Sequence, residues 1–382
     1  MASTKTPEQH IAVFGESGSG KTVLLSALYG AAQEPEFTER NLYRIVADDF
    51  KQGAKLHKNY LGMRENSRTP LANRFNNETY SFTLKLKENN GQNHPSIPFN
   101  ALRLVWHDYP GEWLSHGANT EEEAEIRLKT FNDLIRSDVA LILVDSSRLL
   151  DDDDDIERYL KSLLGNLKST LLSLQDELLH DGKKLVRFPR IWMFALTKCD
   201  LLPDYDAYRF RDLLIGKVAG EIADLRQILS GFVTGNEALS VGEDFVLTSS
   251  AKFESGHIDL GDRVGINLVL PLASALPMQR HLRWANARVL PGKVAKELLN
   301  GVGLIAAAVQ LAQHRFPNRI ASLLNKVQPQ AMAHVANMAD EGLEKLQKKA
   351  IQKKDFISAI IAGFQLELSQ AESDKVLLRS PR

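Results

Sequence analysis

Cysteine is almost absent: Cys199 is the only one in 382 residues. A single thiol cannot close an internal disulfide, so a disulfide-stapled scaffold is excluded and a reducing, cytoplasmic setting is expected. Long apolar runs are missing too. The longest nearly uncharged apolar stretch, GVGLIAAAVQLA at 301–312, is too short to span a bilayer as a helix. The amino-terminal MASTKTPEQH is polar and lacks an apolar segment, which argues against a signal peptide, and residues 1–7 read as a disordered start. No charge sign dominates: 47 Lys and Arg stand against 48 Asp and Glu, a net charge of −1 and an ordinary soluble composition. No internal repeat stands out, and the length allows two or three domains with ample material for a core.

What the sequence does have is IAVFGESGSGKT, residues 11–22. A short apolar run breaks into glycines and serines and ends on a lysine and a threonine. The spacing Gly15, Glu16, Ser17, Gly18, Ser19, Gly20, Lys21, Thr22 fits the phosphate-binding pattern G-x-x-x-x-G-K-[ST] without a mismatch. Glycines permit backbone angles that turn consecutive N–H groups inward, and the helix that follows adds its positive amino-terminal end, so the loop forms a nest for anions. Lys21 would then reach the β- and γ-phosphates of a nucleotide, and Thr22 would offer its hydroxyl to a magnesium ion. The context is right: an apolar strand precedes the loop and VLLSALYGAA follows at helical spacing.

Further strands are expected in YSFTLKL, ALRLVWHDYPG, DVALILVD, RIWMFALTKCD and FVLTSS, each apolar and each ending in polar or turn residues. Helix-compatible segments separate most of them. Strands that alternate with helices predict an α/β fold with a doubly wound, mostly parallel sheet, in which ligands gather at the carboxyl ends of strands. Three polar groups fall there. In WHDYPGEW, Asp108 closes a strand and Gly111 follows in D-x-x-G spacing, suited to hold magnesium, usually through a water, and to meet a γ-phosphate through a backbone N–H. In TKCD, the Asp200 carboxylate can accept both donors of the guanine edge while the stem of Lys198 lies along the ring and Thr197 ends the strand. Adenine offers the opposite polarity. In SSAK, residues 249–252, the Ala251 N–H would donate to the guanine oxygen, flanked by Ser250 and Lys252.

These four motifs, in this order, resemble the GTPase domain of the translation-factor and Ras-like class of P-loop proteins, over roughly residues 8–270. The resemblance implies GTP and GDP as ligands, magnesium, slow hydrolysis and two conformations, with the phosphate loop, Asp108 and Asp200 carrying those roles. Both the segment from Lys21 to Asp108 and that from Asp108 to Thr197 look expanded beyond a minimal Ras-like domain. In that expanded layout, with DYPGEW and a helical tail, the chain is loosely similar to bacterial GTPases of the double-GTPase and phage-defence-associated kind.

Two departures bear on mechanism. Where Ras-like members carry the water-orienting glutamine directly after the D-x-x-G glycine, this chain has Glu112. A carboxylate there repels the γ-phosphate unless it is protonated or turned away, although it can also act on water as a base. His107 and His116 are further candidates for positioning the water, against the plainer and favoured reading of surface or packed histidines, and Trp113 either shields the site or belongs to the core. The other departure concerns the threonine that closes the first switch over magnesium and the γ-phosphate. Thr69 in NSRTPLA and Thr79 in NNETYSF both qualify, with a lean to Thr69 because the expanded segment displaces simple counting. Arg68 or Arg74 would serve as a cis arginine finger, against the plainer reading of a surface arginine.

Other features read more plainly. The acidic run at 151–155 precedes a leucine-rich helical pattern and is a solvated helix start rather than a metal site. After about residue 270 the strand pattern gives way to amphipathic helices, so 271–382 is expected as a helical carboxyl-terminal domain after a GTPase domain at 8–270. From residue 276 onward there are 16 Lys and Arg against 8 Asp and Glu, a balance of +8 against −9 for the remainder. A bundle with a solvated basic face is favoured; an acidic partner such as a membrane surface is the less favoured reading. No aromatic residues interleave the lysines of KLQKKAIQKK, which argues against nucleic acid. The sequence therefore predicts a guanine-nucleotide switch acting on a protein effector through its switch loops and carboxyl-terminal helices. The rival expectation is a GTP-loaded, non-hydrolysing binding or assembly module, and a third is an ATPase, which would make TKCD a coincidence.

Overall fold

The computed structural model describes residues 8–70, 78–86, 100–108, 111–114, 120–254, 257–287, 289, 292–301, 344–345, 348 and 356–380. The expected disordered start at 1–7 and most of the expected carboxyl-terminal helical segments, 302–343 among them, lie outside the described residues.

Eight strands form one sheet. In chain order they are β1 (Glu8–Phe14), β2 (Tyr43–Ala47), β3 (Glu78–Leu86), β4 (Asn100–Asp108), β5 (Val139–Asp145), β6 (Ile191–Thr197), β7 (Ser240–Thr248) and, after a short β8 (Lys252–Glu254) and β9 (His257–Asp259) hairpin, β10 (Leu377–Leu378). Their order across the sheet is β10-β7-β6-β5-β1-β4-β3-β2. The five central strands run parallel, while β3 is antiparallel to β4, β2 to β3 and β10 to β7. This is the doubly wound, mostly parallel sheet the strand pattern predicts. β4 lies on one side of β1 and β5 on the other, so the winding reverses at β1, and a crevice opens outside the carboxyl ends of these strands.

Side-chain alternation divides the apolar residues of each central strand between two cores. Ile11, Val13, Leu141, Leu143, Met193 and Ala195 face one layer. That layer includes α1 (Lys21–Ala31), which is joined by α2 (Pro35–Arg40) and α3 (Phe50–Asn66) before β3. The intervening residues Ala12, Phe14, Ile142, Val144, Trp192, Phe194 and Leu196 face the other. There α5 (Asp153–Ser173) buries Ile156, Leu160, Leu163 and Leu167 at helical spacing, after α4 (Glu121–Leu134) and before a single turn, α6 (Gln175–Leu178). Its partner α7 (Ala207–Phe232) covers β7 and bends at Val218, where φ is −139°. The acidic run behaves as a helix start: Asp152 precedes α5, Asp153 pairs with Lys217 at 2.5 Å and Asp155 with Arg158.

The described residues after 270 are part of the same packed unit. α8 (Val269–Asn286) lies against β1 and β5, with α9 (Gly292–Gly301) and α10 (Phe356–Ser373) packed on it. Phe364 of α10 meets Tyr43 of β2 edge-on at 5.8 Å between ring centroids. The chain then returns to the sheet, where Leu377 and Leu378 of β10 pair with Val246 and Phe245. The boundary expected near residue 270 thus falls inside one shared core. No described helix is long and apolar enough to cross a membrane.

Candidate functional site

A cleft of about 440 Å³ lies at the carboxyl ends of β1, β4, β6 and β7. One wall is the loop between β1 and α1. Gly18 and Gly20 adopt φ of +84° and +91°, angles that side chains with a Cβ rarely take, so the loop turns its amides inward as glycine chemistry requires. Gly20 caps α1 without a side-chain bond, leaving the first N–H groups of the 11-residue helix at the cleft. Ser17, Gly18, Ser19, Gly20, Lys21 and Thr22 all line it.

Lys21 is only 8% exposed. Its Nζ donates to the carbonyls of Gly15 at 2.6 Å and Glu16 at 3.0 Å. Burial pulls its pKa down to about 8, opposed by attraction to Asp108 and then Glu16. Gly15 and Glu16 therefore contribute their carbonyls from behind the lining. The Glu16 side chain faces a separate polar hollow shared with Arg148, Asp151 and Arg158, and burial raises its pKa.

Asp108, the last residue of β4 and 2% exposed, lines the cleft beside Thr22, Thr69 and Gly111. Gly111 sits against the phosphate loop so closely that a Cβ there would lie 2.3 Å from the Ser17 nitrogen and 2.4 Å from the Glu16 carbonyl carbon. Glu112 follows in a short turn, Gly111–Leu114, half-buried and outside the cleft lining. Thr69 and Pro70 reach the cleft from the end of α3, whereas Thr79 belongs to β3, is exposed, and gives its carbonyl to Gln52 Nε2 at 3.0 Å.

Other candidates lie away from the cleft or outside the described residues. His107 does not face the cleft. It stacks on His10 with ring centroids 5.3 Å apart, in a hollow with Arg136 and Arg187, and burial followed by His10 pushes its pKa down to about 3. Its register beside Ala12 puts it on the α4 side of the sheet. Trp113 belongs to that same core, with the Arg127 guanidinium 5.3 Å from the centre of its ring. Arg68 is exposed and absent from the lining. Arg74 and His116 lie outside the described residues.

At the other end of the cleft, β6 delivers Thr197, Lys198 and Asp200, and β7 delivers Ser249 and Ser250. Ser249 Oγ donates to Asp200 Oδ1 at 2.6 Å, and the Phe253 amide to Asp200 Oδ2 at 3.1 Å. Ala251 is fully buried behind the lining among Tyr60, Met63, Ile258 and Leu260, and Lys252 is exposed away from it. Cys199 is buried, which with its neighbour Asp200 pushes the thiol up to about 12.

Sequence reasoning missed Asp145 and Phe253. Asp145, at the end of β5, takes Lys198 Nζ at 2.6 Å on one oxygen and the Ser147 hydroxyl and amide at 2.7 and 3.0 Å on the other. The signal was present, since Asp145 closes an apolar strand as Asp108 does.

The donor set fits a phosphate-bound hard cation: the Thr22 and Thr69 hydroxyls and the Asp108 carboxylate line the cleft together with the phosphate loop. No group of three or more His, Cys, Asp or Glu among the described residues could hold a metal by itself. Such an ion would share its coordination with phosphate and water.

A doubly wound sheet carrying G-x-x-x-x-G-K-T after its first strand, with D-x-x-G, TKCD and SSAK at one crevice, defines a P-loop GTPase. The model of the Double-GTPase 2 family matches residues 9–201, half of the sequence, and the chain belongs to that family. No curated protein matches it. Among solved structures it is similar to the signal recognition particle receptor SRb-GTP/SRX complex from Chaetomium thermophilum, at 18% identity over 65% of this chain and 91% of that one, with a TM-score of 0.31. Two others are Roco2 RocCORdC of Methanosarcina barkeri bound to GDP (15% identity, 67% and 48% covered, TM-score 0.23) and the LeoA bacterial dynamin GTPase from ETEC (14%, 96% and 50%, 0.24). At such values the fold assignment rests on the sheet order itself.

Proposed function

We propose that the protein binds GTP with magnesium and hydrolyses it slowly to GDP and phosphate, acting in the cytoplasm as a nucleotide-dependent switch on a protein effector. The observation that carries this reading is convergence: the phosphate loop, Asp108, Gly111, Thr69 and the TKCD and SSAK loops, up to 233 positions apart in sequence, border one cleft. Lys21, released from the Gly15 and Glu16 carbonyls, holds the β- and γ-phosphates. Thr22, Thr69 and Asp108 are the oxygens that would hold magnesium, which when bound neutralises charge on the transferring phosphoryl group. The Gly111 amide meets the γ-phosphate, and Asp200 reads the guanine edge while Asp145 keeps Lys198 in line. GTP and GDP differ at the contacts of Thr69 and Gly111, so the output is a change in the segments carrying them, read by the effector together with the carboxyl-terminal helices. A membrane surface is the less favoured partner, and nucleic acid is disfavoured.

The position of Glu112 outside the cleft lining favours one rival, a GTP-loaded binding or assembly module that does not turn over. Phosphate release from GTP separates the two. Turnover by the wild type that Lys21→Ala abolishes supports the switch, and the Glu112→Gln rate tells whether the carboxylate helps or hinders. GTP binding without phosphate release supports the module.

A further inference from the structure

The β8–β9 hairpin follows SSAK directly, and no motif explains it. Phe253 at its centre is the only aromatic side chain among the described residues that line the cleft, and it sits at the end where Lys198, Asp200 and Leu201 also lie. Its backbone amide donates to Asp200 Oδ2, while Ser249 Oγ holds Oδ1. A carboxylate has about four lone-pair sites, so each oxygen keeps one for a further donor. One residue thus fixes the carboxylate through its main chain and presents a ring to the same space.

The hairpin is itself anchored. Ile258 of β9 packs with Tyr60 and Met63 of α3, Phe253 leans on this small core, and the Ile258 amide donates to Ser67 Oγ at 3.2 Å across 191 residues. Thr69 and Pro70 emerge two and three residues beyond Ser67. The ring therefore belongs to a wall braced by α3 rather than to a loose loop.

We propose that Phe253 is a base-binding residue of the cleft: its ring stacks on the face of the purine while its amide aims Asp200 at the edge. This deepens the guanine-nucleotide reading and rests on it. Every base has a π-face, so stacking supplies affinity without choosing guanine, and the aimed carboxylate supplies the choice. Losing a base–aromatic contact weakens binding about tenfold or more.

The test is calorimetric titration of the full chain with GDP and with inosine diphosphate, both with magnesium, for wild type, Phe253→Tyr and Phe253→Leu. Leucine keeps apolar bulk on the α3 core and removes the π-face, so a melting temperature near wild type is expected. The expected result is that Phe253→Leu binds both nucleotides about tenfold more weakly while Phe253→Tyr stays within about twofold of wild type. Equal GDP affinity for Phe253→Leu and wild type would overturn the proposal and leave the GTPase reading intact. So would a parallel loss in the leucine and tyrosine variants, which would assign Phe253 to packing alone. A wild-type chain that binds no GDP would overturn the guanine-nucleotide reading itself, and this inference with it.

Discussion

Lys21 and Gly111 both line the cleft at its glycine-rich loop. In the folded chain the Lys21 pKa is near 8 against 10.5 for a free side chain, chiefly through burial. Between those values the unfolded state binds more protons than the folded one, so this group adds stability as pH rises through 8, the reverse of a paired lysine. Phosphate binding has the opposite sign, because it needs the charged form. Affinity for GDP should hold up to about pH 8 and fall by up to about tenfold per unit above it. Calorimetry at a series of pH values checks this, and a flat profile to pH 9.5 in the wild type would contradict it. For Gly111 the added methyl of Gly111→Ala meets backbone rather than a side chain that can turn away. A loss of about 1–3 kcal/mol in unfolding free energy is expected, with GTP affinity falling more than GDP affinity. Urea melts and paired titrations measure both.

Among the elements, the loops after β1, β4, β6 and β7 were legible because each strand ends in a short apolar run followed by a polar motif. β10 was not, since two paired residues after a polar helix end leave no periodicity. β2 was missed for a related reason: YRIVA is five residues between polar segments, and its meaning comes from pairing with β3. Thr79, the less favoured switch candidate, stands inside β3 rather than just ahead of it. What fixes β10 is a buried charge cluster. Asp244 of β7, fully buried, accepts Arg280 of α8 at 2.5 Å, Ser240 Oγ at 2.9 Å and the Ser380 amide at 2.9 Å. Asp244→Ala strands a guanidinium that is 1% exposed, so a loss of about 3–5 kcal/mol is expected in urea denaturation. A loss under about 1 kcal/mol would show that the cluster does not hold the tail.

The described residues are organised around one eight-stranded sheet with a core on each face, and α8, α9 and α10 complete one of those cores. Composition shifts near residue 270, so sequence reading divides the chain there. Packing does not, because Leu272, Leu276, Phe364 and Leu368 share a core with Ile11, Leu141 and Met193. Amphipathic helices look alike whether they cover a neighbouring sheet or one another, and the core they share with the sheet settles which. A chain ended at residue 270 should therefore lose cooperative thermal unfolding. A sharp melt near that of the full chain would contradict the shared core.

The proposed guanine-nucleotide site depends most on Asp200 for its choice of base. Its most direct measurement is displacement of labelled GDP by GTP, ATP and xanthosine triphosphate, from wild type and from Asp200→Asn. GTP is expected to displace the label from the wild type at concentrations lower than ATP by about tenfold or more, and Asp200→Asn is expected to shift the preference to the xanthine nucleotide. Displacement by ATP as good as by GTP, or an Asp200→Asn profile identical to the wild type, would contradict it.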